Sequence, residues 1–143
     1  MAVDLDITSP LRTVADIERL IEKKIKTGAD VVYSVTEARR NPYFNMVKVV
    51  GDHVEKCIES PYTARQQAPA IFDINASIYV FDAEFLRTNT TGILWETKIL
   101  LYEMRDTAVL DIDSEEDFDM MQLIGGYLFT KVEGFKKVRD LIR

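Results

Sequence analysis

Apolar and acidic residues alternate over AVDLDI at 2–7, a period of two that predicts a short strand running into the loop TSPLRT. The period then lengthens. Ile17, Leu20, Ile21 and Ile25 recur at helical spacing, Thr13 with Asp16 forms a capping box ahead of them, and Gly28 stops the pattern. VVYSV at 31–35 is a β-branched run that reads as a buried strand. Strand, helix and strand in that order make a βαβ unit, which favours a parallel sheet with helices packed on its faces.

The pattern changes after residue 36. EARRNPYFNM at 37–46 is loop-like around Asn41-Pro42, while NMVKVV and HVEKCI flank Gly51-Asp52, a two-residue hairpin signal. This is an antiparallel excursion from the sheet. ESPYTARQQAPA at 59–70 holds two prolines and little periodicity, so it reads as a long connection of the kind that often carries function. NASIYVF at 75–81 predicts a strand, Asp82 a cap for a short helix through Leu86, and TKILLYEM at 97–104 a further strand. Ser114 with Asp117 caps a helix over 115–124. Gly125-Gly126 is expected to interrupt it, and helical spacing resumes at Leu128, Val132, Phe135, Val138 and Leu141.

Composition narrows the class. With 143 residues, 47% of them hydrophobic, the chain is long enough for one compact domain over 1–143 with a real core. A net charge of −6 argues against nucleic acid, which a basic face normally meets. The single cysteine, Cys57, cannot close an internal disulfide, so the chain reads as intracellular. No apolar run approaches the roughly 18–20 residues of a membrane span, and Met1 is not followed by a basic and then apolar leader. The expectation is a cytoplasmic protein that meets no membrane.

The chemistry gathers in AVLDIDSEEDF at 108–118. If the apolar run is a strand, Asp111 and Asp113 at a spacing of two point the same way, and two carboxylates suit one hard cation such as Mg2+. The alternative is that both are merely the edge of a well-capped helix, whose first turn favours acids. A calcium loop of the EF-hand type is excluded, because Glu116 stands where that loop needs glycine and Gln122 where it needs a bidentate glutamate. Thr8 and Ser9 lie between a strand's carboxyl end and a helix, where α/β sheets bind ligands, although local turn bonding explains them equally.

Three segments, LDITSPLRT at 5–13, ARQQAPAIFDINASIYVF at 64–81 and LDIDSEEDF at 110–118, occur in an order and spacing that resembles the nonulosonate (acylneuraminate) cytidylyltransferases. The resemblance covers residues 3 to about 122. It implies an α/β fold: part of a Rossmann-like nucleotidyltransferase sheet with helices on its faces, plus an antiparallel dimerisation arm within 37–70. Residues 125–143 would be a C-terminal helical extension. The activity implied is transfer of CMP from CTP to the anomeric hydroxyl of a nine-carbon keto sugar acid, of sialic or legionaminic type, with release of pyrophosphate. Asp111 and Asp113 would hold Mg2+, and Arg65 would meet the sugar acid, with Gln66 in the same motif. Asn75 and Tyr79 match the sugar-facing strand, and Thr8 and Ser9 the loop beside it.

Two departures bear on the sugar. Asp6 stands where sialic acid members often carry glutamine, and Phe44 stands where some of them carry lysine. Tyr43 and Phe44 would be anchors of the dimer arm. The family's N-terminal glycine-rich phosphate loop has no counterpart here, so the expectation is a C-terminal part that holds sugar and metal, is inactive alone, and forms a homodimer or swapped homo-oligomer. Two other expectations stand beside it: a non-catalytic oligomerisation module derived from the family, and a relative that activates Kdo.

Overall fold

The structure, a computed structural model, describes residues 1–92 and 94–141, with the side chain of Leu141 outside the described set. Its elements run β1 (Ala2–Leu5), α1 (Val14–Thr27), β2 (Val31–Glu37), β3 (Val47–Val50), β4 (His53–Lys56), β5 (Phe72–Phe81), α2 (Ala83–Thr88), β6 (Ile99–Glu103), α3 (Glu115–Lys131) and α4 (Glu133–Leu141). The class is α/β, as expected. The chain divides into two compact units, one of Met1–Thr36 with Ile74–Arg143 and the other of Glu37–Asp73. Among the described residues no helix is long and apolar enough to cross a membrane.

The first unit is built on a four-stranded sheet in the order β1-β5-β2-β6. β2 and β6 are parallel, with Val31 opposite Ile99 and Val35 opposite Glu103, whereas β1 and β5 are antiparallel. The βαβ expectation is therefore corrected in one respect. β1 and β2 do not pair with each other, because the long strand β5 lies between them, and the sheet is mixed.

Both faces of the central strands are buried, and the alternation of β2 and β5 assigns their side chains. On one face Val32, Ile78 and Val80 meet Leu20 of α1, together with Ala29, Met104 and Ala108. On the other, Val31, Tyr33 and Val35 meet Tyr79, Phe81, Phe85, Leu94 and Ile99. Helix α1 starts where the sequence predicts. The Thr13 hydroxyl accepts the Asp16 N–H at 3.2 Å, and the Asp16 carboxylate accepts the Thr13 N–H at 2.8 Å. Such a cap contributes about 1 kcal/mol. The helix stops at Gly28, whose φ of 59° is left-handed, and the Gly28 N–H closes on the Lys24 carbonyl. Ile25 falls at the margin of the inward stripe and stays exposed, while Lys24 bonds the Asp82 carboxylate at 2.6 Å.

A third cluster joins Leu11, Met121, Leu128 and Phe135 with Leu110, Ile112 and Val132. Here α3 runs unbroken through Gly125-Gly126, contrary to the expected interruption. The reason is packing. Gly125 is buried against Leu11 and Phe129, with room for a Cβ at ordinary contact of 3.9–4.0 Å, so burial in the Leu11 cluster carries the helix ladder through both glycines. The break comes later, at Val132, whose extended backbone separates α3 from α4.

The second unit contains the expected hairpin. β3 and β4 are antiparallel, with Val49 opposite Val54, and Gly51 takes a φ of 62° at the turn. Its organiser is Asn41. The side-chain oxygen accepts the Tyr43 N–H, the amide donates to the Pro69 carbonyl at 2.9 Å, and the Asn41 carbonyl takes the N–H groups of Phe44, Asn45 and Met46.

Candidate functional site

On the first unit, β1 sets Asp4 opposite Tyr79 and Ala2 opposite Phe81, so an acid and an aromatic row share one face of the sheet. Tyr33 meets Tyr79 edge-on with centroids 5.3 Å apart, and Tyr79 stacks on Phe81 at 6.1 Å. Just past β1 the chain turns on Asp6, whose carboxylate accepts the Thr8 N–H at 3.0 Å and the Thr8 hydroxyl at 2.9 Å. These bonds hold the Asp6 carboxyl below its ordinary range. The Thr8 carbonyl in turn accepts the Ile112 N–H at 3.0 Å, which tethers the acidic segment to this loop.

That segment differs from expectation. Residues 106–109 form a 3-10 turn and 110–113 continue without strand pairing, so Asp111 and Asp113 do not end a strand. The run is tied to the Thr8–Ser9 loop instead, by the Ile112 N–H on the Thr8 carbonyl and the Ser9 hydroxyl on the Leu110 carbonyl at 3.1 Å. Leu110 and Ile112 pack against the Leu11 cluster, and Asp111 between them is half-buried. Asp111 accepts the Ile112 N–H with one oxygen, and Asp113 is exposed. Beyond them Ser114 caps α3 by accepting the Asp117 N–H, and its hydroxyl holds the Asp117 carboxyl below its ordinary range.

Tyr79 reports the convergence. Burial pushes its phenol above the usual range, and the neighbouring Asp6, Tyr33, Asp4 and Asp111 push in the same direction. Tyr79 is thus a neutral donor on an acidic face.

Ser9 and Asn75 have a different setting. Both are buried, at 1% and 5% exposure. The Ser9 hydroxyl donates to the Asn75 carbonyl at 2.8 Å, and the Ser34 hydroxyl donates to the Asn75 side-chain oxygen at 2.7 Å. Asn75 also accepts the Ser77 N–H, and Ser77 donates back to the Ser9 carbonyl at 2.8 Å. Between Asn75 and Ser77, Ala76 adopts a φ of 54°, the one left-handed non-glycine among the described residues. The network therefore bends β5 at Asn75 and ties it to the Asp6–Ser9 loop.

Arg65 and Gln66 lie in the second unit and line a cleft of about 380 Å3 with Glu37, Asn41 and Pro69. The Arg65 guanidinium pairs with the Glu37 carboxylate at 3.3 Å and donates to the Ala38 carbonyl at 2.5 Å and the Arg39 carbonyl at 3.2 Å. It is half-exposed, and the three acceptors fix its plane. Gln66 is exposed, while its neighbour Gln67 accepts the Thr63 and Ala64 N–H groups and closes the turn on which Arg65 sits.

Three contributors escape the sequence reading. Arg12 donates to the carbonyls of Asp6 at 2.6 Å, Ser9 at 2.9 Å and Ser77 at 3.1 Å, and so clamps the loop to β5. Ser34 interrupts a β-branched run and was a visible polar signal. Glu37, the partner of Arg65, lies 28 residues away in sequence and had no local signal.

Fold and polar face together define a mixed α/β protein that gathers acids and aromatics at one end of β1 and β5. No protein-family model matches the chain. Curated relatives do, among them post-translational flagellin modification protein B of Campylobacter coli and CMP-N,N'-diacetyllegionaminic acid synthase of Campylobacter jejuni. Each is 36% identical over 122 residues, which is 85% of this chain and 51% of the relative. The chain spans about half the length of these relatives. It is homologous to them over that stretch, which bears out the family resemblance carried by the motifs.

Proposed function

We propose that this chain supplies the sugar- and metal-binding residues of a cytidylyltransferase that makes a CMP-nonulosonate. The observation that carries the reading is the 36% identity over 122 residues to a relative named as a CMP-N,N'-diacetyllegionaminic acid synthase. In the reaction the anomeric hydroxyl oxygen of the sugar acid bonds to the α-phosphorus of CTP, the bond between the α- and β-phosphates breaks, pyrophosphate leaves, and the hydroxyl proton passes to solvent. Such chemistry rests on positioning and charge neutralisation rather than on a protein nucleophile.

The residues suit these tasks. Arg65, its plane fixed by Glu37, Ala38 and Arg39, offers its positive charge and its remaining N–H groups to the carboxylate of the sugar acid. Tyr79, kept neutral, offers a hydroxyl donor, while Ser9 and Asn75 act through backbone placement because their own polar atoms are engaged internally. For Mg2+ the chemistry of Asp111 and Asp113 supports the reading: no cluster of three or more such ligands occurs among the described residues, and Mg2+ is usually held by one or two carboxylates plus substrate phosphates. When bound, the ion supplies neutralisation of triphosphate charge. A homodimer or swapped homo-oligomer completes the reading, supported by the apolar residues left exposed on both units.

Calorimetric titration of the 143-residue chain with sialic and legionaminic acids tests the assignment. Binding of at least one acid, weakened tenfold or more by Arg65→Ala, is the expected result. No heat with any acid, or heat indifferent to Arg65→Ala, overturns it. The second reading, a non-catalytic oligomerisation module, is favoured by the internal engagement of Ser9, Asn75 and Arg65 and predicts no heat with any acid.

A further inference from the structure

Two guanidinium groups of the Glu37–Asp73 unit converge on one carbonyl. The Arg40 Nη1 donates to the Arg39 carbonyl at 3.2 Å, and the Arg65 Nη1 donates to the same carbonyl, also at 3.2 Å. The two nitrogens therefore lie no more than about 6.4 Å apart, twice the length of either bond. Like charges at that distance repel. Glu37 offsets one of them by pairing with Arg65 at 3.3 Å, whereas among the described residues no carboxylate pairs with Arg40. Glu37, Arg40 and Arg65 together keep one positive charge, the complement of a single carboxylate.

The backbone holds both arginines ready. Ala38 is buried and its N–H bonds the Ile71 carbonyl at 2.9 Å. Asn41 is buried too, its N–H bonded to the Asn45 side chain at 2.8 Å and its amide to the Pro69 carbonyl at 2.9 Å. Arg39 and Arg40 are the two residues between these anchors. Arg65 opens the 3-10 turn Arg65–Gln67, which the Gln67 side chain closes. Charges placed in advance lose little freedom when a ligand arrives. The cleft that Arg65 lines holds about 380 Å3, and small-molecule sites begin at about 300 Å3.

We propose that Arg40 is a second carboxylate-binding residue, which with Arg65 brackets the carboxylate of an acidic sugar, one guanidinium to each oxygen. The proposal rests on the sugar-acid reading above and adds to it the residue that makes the site prefer an acid over its neutral ester.

The test is calorimetric titration, direct and by competition, of the 143-residue chain and its variants with sialic and legionaminic acids, their methyl esters and inorganic phosphate. Circular dichroism melts check folding. Arg40 is exposed, so Arg40→Ala and Arg40→Lys keep the fold. Arg40→Ala is expected to weaken the acid about tenfold and to lower the acid-over-ester preference by a similar factor, with Arg40→Lys falling between parent and alanine. Added salt should weaken acid binding to the parent more than to Arg40→Ala. An acid that depends on Arg65 while the acid-over-ester preference is the same in parent and Arg40→Ala overturns the bracket and leaves the sugar-acid reading standing. Phosphate bound as tightly as the acid, with the same dependence on Arg40, overturns the carboxylate in favour of a general oxyanion site. No heat with any acid overturns the sugar-acid reading and the bracket together.

Discussion

The two units differ in what holds them. The sheet unit buries three apolar clusters, with Leu20, Val32, Ile78 and Val80 wholly inside. The Glu37–Asp73 unit buries almost nothing apolar. Its hairpin valines Val47, Val49 and Val54 are exposed, and its order comes from Asn41, the Tyr43–Tyr62 ring contact and the Lys56 ammonium donating to the Ser60 and Tyr62 carbonyls. A two-stranded hairpin is marginal in water by itself. The difference teaches that one unit is a product of burial and the other of a small number of polar hubs, and the two respond to different insults.

The largest expected effect is in the sheet. Leu20→Ala removes a fully buried side chain and should cost about 2–5 kcal/mol in urea unfolding, whereas Val49→Ala, at 78% exposure, should stay within about 0.5 kcal/mol. Equal effects would erase the contrast. Next is Asn41→Ala, which orphans the Tyr43 N–H and the Pro69 carbonyl and should cost about 1–3 kcal/mol locally. Hydrogen exchange should show protection lost at residues 43–46 while the amides of β2 and β5 keep theirs; uniform loss would mean that both units unfold together.

Smaller backbone terms sharpen the picture. Gly28→Ala places a Cβ on a left-handed residue and should destabilise α1 by about 1 kcal/mol in a thermal melt. Ala76→Gly should do the reverse, gaining up to about 1 kcal/mol by relieving the left-handed alanine. A loss there would show that the alanine methyl is needed for packing.

The smallest effect is a pH dependence. Asp82 is drawn down to about 2, first by the bond from Lys24 and then by the Phe85 and Glu84 N–H groups it caps. Its stabilisation is therefore complete above the unfolded carboxylate value of about 3.9 and is lost as pH falls through about 2. Denaturant midpoints of the parent and of Asp82→Asn should differ at pH 7 and draw together as pH falls from about 4 through about 2; a constant gap would assign the effect to shape rather than charge.

Much of this molecule was legible because its signals are local. The Thr13–Asp16 box, the Gly28 stop, the Gly51-Asp52 turn and the Asp82 and Ser114 caps each depend on residues within a few positions of one another, and each forms as read. The inward packing of Leu110 and Ile112 was legible too, even though the segment pairs with no strand. The family motifs came through for the same reason, being short runs in a fixed order.

What the sequence by itself determined was most of the list of elements, many of their ends, and a homology to the two relatives at 36% identity over 122 residues. Tertiary structure alone decided which strands are neighbours, with β5 inserted between β1 and β2. It alone set Arg12 against the distant Ser77 carbonyl and Glu37 against Arg65, enclosed Ser9 and Asn75 in a shared network, and carried α3 straight across two glycines. The physical reason is range. Caps and turns are settled by hydrogen bonds between near neighbours, whereas strand order, buried polar partners and tolerance of a glycine depend on what the rest of the chain places against each residue.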